Sequence, residues 1–366
     1  MMQIVDALGE DGLLRYWGFS YGTVLGATVA AMFPDRMDKV VLDGCVNPHD
    51  YYAGLDVEQV TDSDRSYDGF FTGCAAHPEA CELAQGSPIP ADLKRQFYDL
   101  LYSLKNEPYV ATINGNATIF DYNALKAAVQ NAIYSTATWP LLATGLHGLL
   151  TKNDTATAAV ASLLPGYPSG IYPNEGLEAY VGGIRASDVR FRTDNLTSLY
   201  PVLERFFAKS QIFGDSLSPN LLTYAQWPFR AKGAYTGDFH VKTKYPILFV
   251  GSDRDAFTPL VSARNASSGF EGSVVLQHGG YGHTSLGQPS LCTAKAIRAY
   301  FVNSTLPAPH TICEPTFGLF SDATAEQEYA PIANFTKRTI GGDDERVLLS
   351  AITRLSTRIP QSGHGL

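Results

Sequence analysis

A G-x-S-x-G turn between an apolar run and a helical pattern restricts the fold of this chain more than any other feature. The motif is GFSYG at residues 18–22. Before it, residues 13–19 read LLRYWGF, which is typical of a buried strand, and residues 23–37 repeat apolar side chains at helical spacing. A second buried strand, KVVLDG, follows at 39–44. A strand, a helix and a parallel strand in this order indicate an α/β protein with a mostly parallel sheet.

The turn can also present a nucleophile. A serine hydroxyl is weakly nucleophilic unless a sharp turn exposes it beside a base, and flanking glycines allow the backbone to make that turn. We therefore predict Ser20 as a nucleophile, with Gly18 and Gly22 shaping the turn and the Tyr21 N–H donating to an oxyanion. The alternative is an ordinary strand-to-helix turn without chemistry.

A nucleophilic serine needs a histidine base, and the histidine needs an acid that fixes its tautomer. Asp255 follows the buried strand YPILFVG, and His283 follows the next strand, SVVLQ. Both positions lie where parallel strands end, so we predict a Ser20–His283–Asp255 triad. The residues leave open Asp253 as the acid, His278 as the base, and Asp43, which reads as a turn residue at a strand end rather than as a catalytic acid.

Between the two sheet-forming parts, the pattern of apolar residues changes from runs typical of buried strands to helical spacing. Helical periodicity dominates there, interrupted by a strand pair around Asn114-Gly115, which is a strong hairpin signal. A last amphipathic helix is predicted near the C-terminus, with Leu348, Ile352, Leu355 and Ile359 on one face. The predicted domains are a sheet core at 1–50 and 242–314, a mostly helical cap inserted at 51–241, and an extension at 315–366.

Charge and composition exclude several classes of function. The net charge is −9, which leaves no basic surplus to neutralise nucleic-acid phosphates. No apolar run approaches the about 20 residues that span a bilayer. The sequence contains no clustered metal ligands and no phosphate-binding glycine loop, so we predict no metal and no cofactor. The expected partner is a peptide or a small acyl substrate; the oligomeric state is not predictable from the residues.

Sequons and cysteines indicate an extracellular protein. Cys74 and Cys81 form a close pair and Cys292 and Cys313 a later one, so two disulfides with Cys45 as a buried thiol are favoured over metal binding. The start, MMQIVDALGEDGLL, has no features of a signal peptide. The chain has more N-x-S/T sequons than a random arrangement of its residues would produce. The predicted N-glycosylation sites are Asn116, Asn153, Asn195, Asn265, Asn303 and Asn334.

Several of these segments together resemble secreted tripeptidyl aminopeptidase-like serine peptidases with a TAP-like C-terminal domain. The similar segments are the nucleophile region 17–44, YPILFVGSDRDAFTPL, GGYGHTSL and the stretch 292–315. The resemblance implies an α/β-hydrolase fold, an acid at Asp255 in a D-x-x-T-P motif, a base at His283 in a Gly-His motif, and a Cys292–Cys313 disulfide. It further implies cleavage of peptides from their N-terminal end through an acyl-enzyme.

An exopeptidase of this kind also needs an acidic group for the free amine of its substrate. Glu175 and Glu178 in the predicted cap are candidates, and solvated surface carboxylates are the alternative. The family usually has cysteines where this chain has Ala186 and the pair Tyr224-Ala225, so we expect one cap disulfide to be lost.

The front of the chain departs most from the family pattern. Only about a dozen residues precede the predicted nucleophile strand, whereas an α/β-hydrolase places several strands and a second oxyanion donor before it. We expect an N-terminally truncated form of a secreted hydrolase, whose full-length form enters the secretory pathway. Two alternatives stay open: an esterase or lactonase acting on small metabolites, and a truncated hydrolase with impaired catalysis.

Overall fold

The computed structural model describes residues 1–86, 88–164, 179–320 and 344–358. Its strands form one five-stranded sheet and one separate two-stranded hairpin. The strands are β1 (Leu14–Phe19), β2 (Met37–Asp43), β3 (Tyr109–Ile113), β4 (Asn116–Phe120), β5 (Leu248–Gly251), β6 (Val274–His278) and β7 (Ile312–Cys313).

Helices flank the larger sheet and fill most of the chain between β2 and β5. The α-helices are α1 (Met2–Leu8), α2 (Tyr21–Met32), α3 (Pro48–Ala53), α4 (Ser63–Ala76), α5 (Pro90–Ser103), α6 (Tyr122–Ala132), α7 (Trp139–Thr151), α8 (Asp154–Ala161), α9 (Tyr200–Lys209), α10 (Ser218–Gln226), α11 (Leu260–Ser267), α12 (Leu291–Asn303) and α13 (Asp344–Arg358). Short 3₁₀ helices lie at Pro34–Arg36, Glu82–Ala84, Thr136–Thr138 and Leu196–Leu199, and a π-helical segment lies at Ala179–Ala186.

The larger sheet is parallel throughout, in the order β1, β2, β5, β6, β7. Every residue of β2 and β5 is buried, which explains the apolar runs VVL in β2 and LFV in β5. Phe19, Asp43 and Val250 align across neighbouring strands, so the turns after β1, β2 and β5 open on the same edge of the sheet. The predicted mostly parallel sheet is confirmed.

The segment between β2 and β5 is mostly helical and contains the β3–β4 hairpin. Asn114 and Gly115 both have positive φ, 52° and 78°, and join the two antiparallel strands as their sequence predicts. Ala186 and Tyr224, which stand where the family has cysteines, are both buried in one small apolar cluster. Apolar packing therefore joins the chain at Ala186 to the chain at Tyr224.

Both expected disulfides are present. Cys74 at the end of α4 is bonded to Cys81, and Cys292 on α12 is bonded to Cys313 on β7. Cys45 is a free, buried thiol whose Sγ donates to the Leu42 carbonyl at 3.0 Å. The second disulfide ties the short strand at one end of the sheet to the helix that packs beside it.

The C-terminal helix α13 packs against α12 and the end of the sheet that holds β1. Its buried side chains are Leu349 and Ile352, 2% and 6% exposed, in a cluster with Leu286 that is flanked by Trp17, Phe19, Leu291 and Phe317. The predicted apolar face is partly wrong, since Leu355 is 44% exposed. Two ion pairs, Lys295–Glu345 and Arg298–Asp344, also join α12 to the first turn of α13. Ile359 lies outside the described residues.

The sequon asparagines that the structure describes are all at the surface: Asn116, Asn153, Asn195, Asn265 and Asn303. Asn334 lies outside the described residues. The Nδ2 of Asn265 donates to Glu58 at 2.6 Å, so this amide is already engaged in the folded chain. None of the described helices is both long and apolar enough to cross a membrane.

Candidate active site

Ser20 occupies a strained turn between β1 and α2. Its φ of 52° and ψ of −124° lie outside the regions that L-residues prefer, and its N–H donates to the Asp43 carbonyl at 3.1 Å. Gly18 is required here, because a Cβ at this position would lie 2.6 Å from the Gly22 carbonyl oxygen. The turn therefore holds a half-buried hydroxyl at the edge of the sheet where the parallel strands end.

Asp255 is held on a tight turn after β5. The carboxylate is 1% exposed; its Oδ1 accepts the N–H groups of Phe257 and Thr258, both at 2.9 Å. Its Oδ2 accepts Thr258 Oγ1 at 2.6 Å and the Thr284 N–H at 2.9 Å. These bonds give the D-x-x-T spacing its physical reason, because the threonine supplies both a main-chain and a side-chain donor to the same carboxylate.

His283 lies against this carboxylate. Its ring Nδ1 is 3.1 Å from both oxygens of Asp255. Its main-chain N–H donates to the Tyr134 carbonyl at 2.9 Å. The rings of Tyr134 and Phe257 meet the imidazole edge-on, with centroids 5.0 and 5.5 Å away. Gly282 precedes it with φ of +89°, and a Cβ there would lie 2.8 Å from the Tyr134 oxygen. The histidine is thus fixed from the sheet side and from the predicted cap.

Electrostatics keep the acid ionised. Burial alone raises the pKa of Asp255, but the His283 ring and the hydrogen bonds from Thr258 and Thr284 outweigh burial, so the pKa lies below its usual value. An ionised Asp255 at Nδ1 places the ring proton on that nitrogen. The buried Nε2 of His283 has no hydrogen-bond partner in the described part of the chain, which leaves it as the nitrogen that can exchange a proton.

Asp255 and His283, the predicted acid and base, are in contact, whereas Ser20, the predicted nucleophile, is hydrogen-bonded to neither side chain. No hydrogen bond joins Ser20 Oγ to His283 Nε2 within the described residues. The two residues are connected through Asp43, whose carbonyl accepts the Ser20 N–H and whose carboxylate accepts the N–H of Ser285 at 2.8 Å. Catalytic hydrogen bonds are often long in unliganded enzymes and shorten when substrate binds.

The rival residues make different contacts, although the buried Nε2 of His278, like that of His283, has no hydrogen-bond partner among the described residues. Asp253 pairs with Arg65 at 2.8 Å near the surface. His278 is buried, its Nδ1 lies 3.0 Å from Thr293 Oγ1, and burial lowers its pKa to about 4. Asp43 is more than a turn residue, because its buried carboxylate binds side chains on two other elements, although not His283.

The remaining predicted site residues are placed as follows. Tyr21 is the first residue of α2, at the end of the helix where the dipole favours negative charge. Glu175 and Glu178 lie outside the described residues. Within residues 1–86, 88–164, 179–320 and 344–358, no group of three His, Cys, Asp or Glu side chains is arranged to hold a metal ion.

The comparisons with known proteins agree with this fold. Residues 210–313 match the family model described as TAP-like protein. Serine protease Hip1 of Mycobacterium tuberculosis is 24% identical over 334 residues, which cover 84% of this chain and 59% of the relative. Tripeptidyl aminopeptidase of Streptomyces lividans is 25% identical over 323 residues, 84% of this chain and 56% of the relative.

A third relative is the putative hydrolase YuaR of Escherichia coli, 24% identical over 308 residues, which cover 81% of this chain and 57% of the relative. The chain thus spans less than two thirds of the length of each of these relatives. The parallel sheet, the family match and the relatives show an α/β-hydrolase type of fold that is similar to TAP-like proteins.

Proposed function

We propose that the chain is a serine hydrolase that cleaves peptides from their N-terminal end through an acyl-enzyme. Ser20 Oγ attacks the scissile carbonyl while His283 Nε2 takes its proton and then gives it to the leaving amine. Asp255 holds the opposite ring nitrogen and stabilises the imidazolium. The Tyr21 N–H stabilises the oxyanion. Water then attacks the acyl-enzyme by the same proton route.

One observation carries this proposal: a buried carboxylate holds His283 Nδ1 at 3.1 Å and leaves Nε2 without a partner. A buried imidazole nitrogen without a hydrogen bond is costly and needs an explanation. The carboxylate at the opposite ring nitrogen distinguishes His283 from His278, whose Nδ1 faces Thr293 Oγ1 instead. Ser20, on its strained turn, supplies the donor that this nitrogen lacks when substrate is bound. The hydrogen bond between Ser20 and His283 is therefore expected to form in the substrate complex.

Peptides are favoured over other acyl compounds because two relatives are named serine protease and tripeptidyl aminopeptidase. The free amine of the peptide would be bound by an acidic group, with Glu175 and Glu178 as the candidates from the sequence. We further propose that the protein is secreted and glycosylated, supported by the two disulfides and the exposed sequon asparagines.

A fluorophosphonate probe together with matched substrates tests the proposal. The wild-type protein should be labelled covalently, whereas Ser20→Ala should lose labelling and at least about 10³-fold in kcat/KM. Tripeptidyl anilides with a free amine should be cleaved, and the same anilides with an acetylated amine should not.

Three results would contradict parts of the proposal. Cleavage of acetylated and free peptides at equal rates would exclude an exopeptidase. Hydrolysis of short-chain p-nitrophenyl esters without any cleavage of anilides would support an esterase or lactonase. Well-folded wild-type protein that is never labelled would support an impaired hydrolase.

A further inference from the structure

Asp43, the last residue of β2, connects the two turns that carry the proposed nucleophile and base. Its carboxylate is 0% exposed and accepts three hydrogen bonds from two elements. The Nε1 of Trp17 on β1 donates to it at 3.3 Å, and Ser285, two residues after His283, donates through its N–H at 2.8 Å and its Oγ at 2.6 Å.

Both turns contain strained backbone next to these contacts. Ser20 has a φ of 52° and Thr284 a φ of 63°. Positive φ is an outlier for a β-branched residue such as threonine and persists only where the surroundings hold it. Asp43 holds the first turn through its carbonyl, which accepts the Ser20 N–H at 3.1 Å. It holds the second through Ser285, while Asp255 accepts the N–H of Thr284 itself at 2.9 Å.

The residue after Asp43 packs directly on the second turn. A Cβ on Gly44, whose φ is +67°, would lie 2.6 Å from the Thr284 methyl carbon and 3.1 Å from Thr258 Oγ1. The end of β2 and the turn that carries His283 are therefore in close contact, and a displacement of one displaces the other.

We propose that Asp43 is a positioning residue that sets how far apart Ser20 Oγ and His283 Nε2 lie, an inference that rests on the proposed function. The carboxylate touches neither substrate nor reacting atoms and acts through Ser285 and through the Ser20 main chain. As an ionised group it accepts from all three donors at once. An asparagine in its place would turn its own N–H₂ toward at least one of them.

The experiment compares Asp43→Asn, Ser285→Ala and the double variant, with Asp253→Asn as the matched control. Asp43→Asn should lower kcat and the rate of fluorophosphonate labelling by about 10- to 100-fold, with KM within about twofold, because a displaced base slows chemistry without weakening binding. Ser285→Ala should lower kcat by about 3- to 10-fold, since it loses one donor and keeps the other. The double variant should be no slower than Asp43→Asn, and Asp253→Asn should match the wild type.

A folded Asp43→Asn with wild-type kcat, a rise in KM alone, or losses that multiply in the double variant would overturn the inference. If Asp43→Asn does not fold, Ser285→Ala decides alone: an unchanged kcat overturns the inference, and the stated loss supports it.

Amide hydrogen exchange separates this inference from the proposed function, because it needs no turnover. If the wild type neither labels nor cleaves, the proposed function fails. Faster exchange in peptides spanning residues 279–288 of Asp43→Asn than of Asp253→Asn would still support the anchoring of this turn. Equal exchange in the two variants would overturn it.

Discussion

At the scale of single residues, the proposed site depends on carboxylates that look alike in sequence and differ in what surrounds them. Asp253 and Asp255 are two positions apart. The first pairs with Arg65 at the surface, whereas the second is buried and surrounded by donors from Phe257, Thr258 and Thr284. Burial with a complete set of donors favours Asp255 as the proposed acid, because a fixed, ionised carboxylate can hold the tautomer of His283.

Asp255→Asn should therefore lower kcat by roughly 10³- to 10⁴-fold, because the amide favours the wrong tautomer of His283. Asp253→Asn, which removes the same charge two residues away, should stay within about twofold of the wild type. Steady-state cleavage of a tripeptidyl anilide measures both variants. Equal losses in the two would show that the acid has been assigned to the wrong carboxylate.

The candidate catalytic residues could be predicted from sequence, whereas the residues that hold them in place could not. Asp255 and His283 each follow a recognisable buried strand, so their positions were predictable. Asp43 and Ser285 are separated by 242 positions, and no local pattern signals their contact. The Tyr134 carbonyl, which accepts the His283 N–H, is equally distant from any motif. Contacts of this kind arise from packing between parts of the chain that only the folded structure brings together.

At the scale of elements, most helices and strands with a clear period were predictable, and α4 was not. Its sequence, SDRSYDGFFTGCAA, contains Gly69 and Gly73, which weaken helix propensity. A Cβ on Gly69 would lie 2.0 Å from the ring of Tyr281, and one on Gly73 would lie 2.9 Å from Leu319. Glycine is therefore needed at these positions because distant residues pack closely against the helix. The same glycines lower the helix propensity, so the helix could not be predicted from the sequence.

The C-terminal helix α13 permits a direct test of element packing. Leu349→Ala should lower the free energy of unfolding by about 2–4 kcal/mol, because this side chain is buried against Leu286 in the turn that carries His283. Leu355→Ala on the same helix should change it by less than about 0.5 kcal/mol, since Leu355 is 44% exposed. Urea unfolding measures both. Equal effects would mean that α13 is not docked on the sheet domain.

At the scale of the whole molecule, buried ionisable groups couple folding to pH. Burial raises the pKa of Asp43, Asp50 and Asp62 to about 6 each. Between about pH 4 and pH 6 these carboxyls hold protons that the unfolded chain releases, so stability falls as the pH rises through that window. Burial lowers the pKa of His278 and His49, which acts in the opposite direction, but burial also raises the pKa of Asp56 and Asp188, which adds to the effect of the three carboxyls.

The melting temperature should therefore be higher at pH 5 than at pH 7, and Asp50→Asn should reduce the difference because it removes one of the three groups. Scanning calorimetry at the two pH values, for the wild type and the variant, measures this. A wild-type melting temperature that rises from pH 5 to pH 7 would contradict the assignment of these three groups.

The short strand β7 has a practical consequence for making this protein. With only two residues, Ile312 and Cys313, it contributes few ladder hydrogen bonds to β6, and the Cys292–Cys313 bond provides the covalent link to α12. Production in the reducing cytoplasm of a bacterial host would leave that end of the sheet without its cross-link. Export to the periplasm, or refolding with a glutathione couple, is accordingly the better preparative route to material for enzymology.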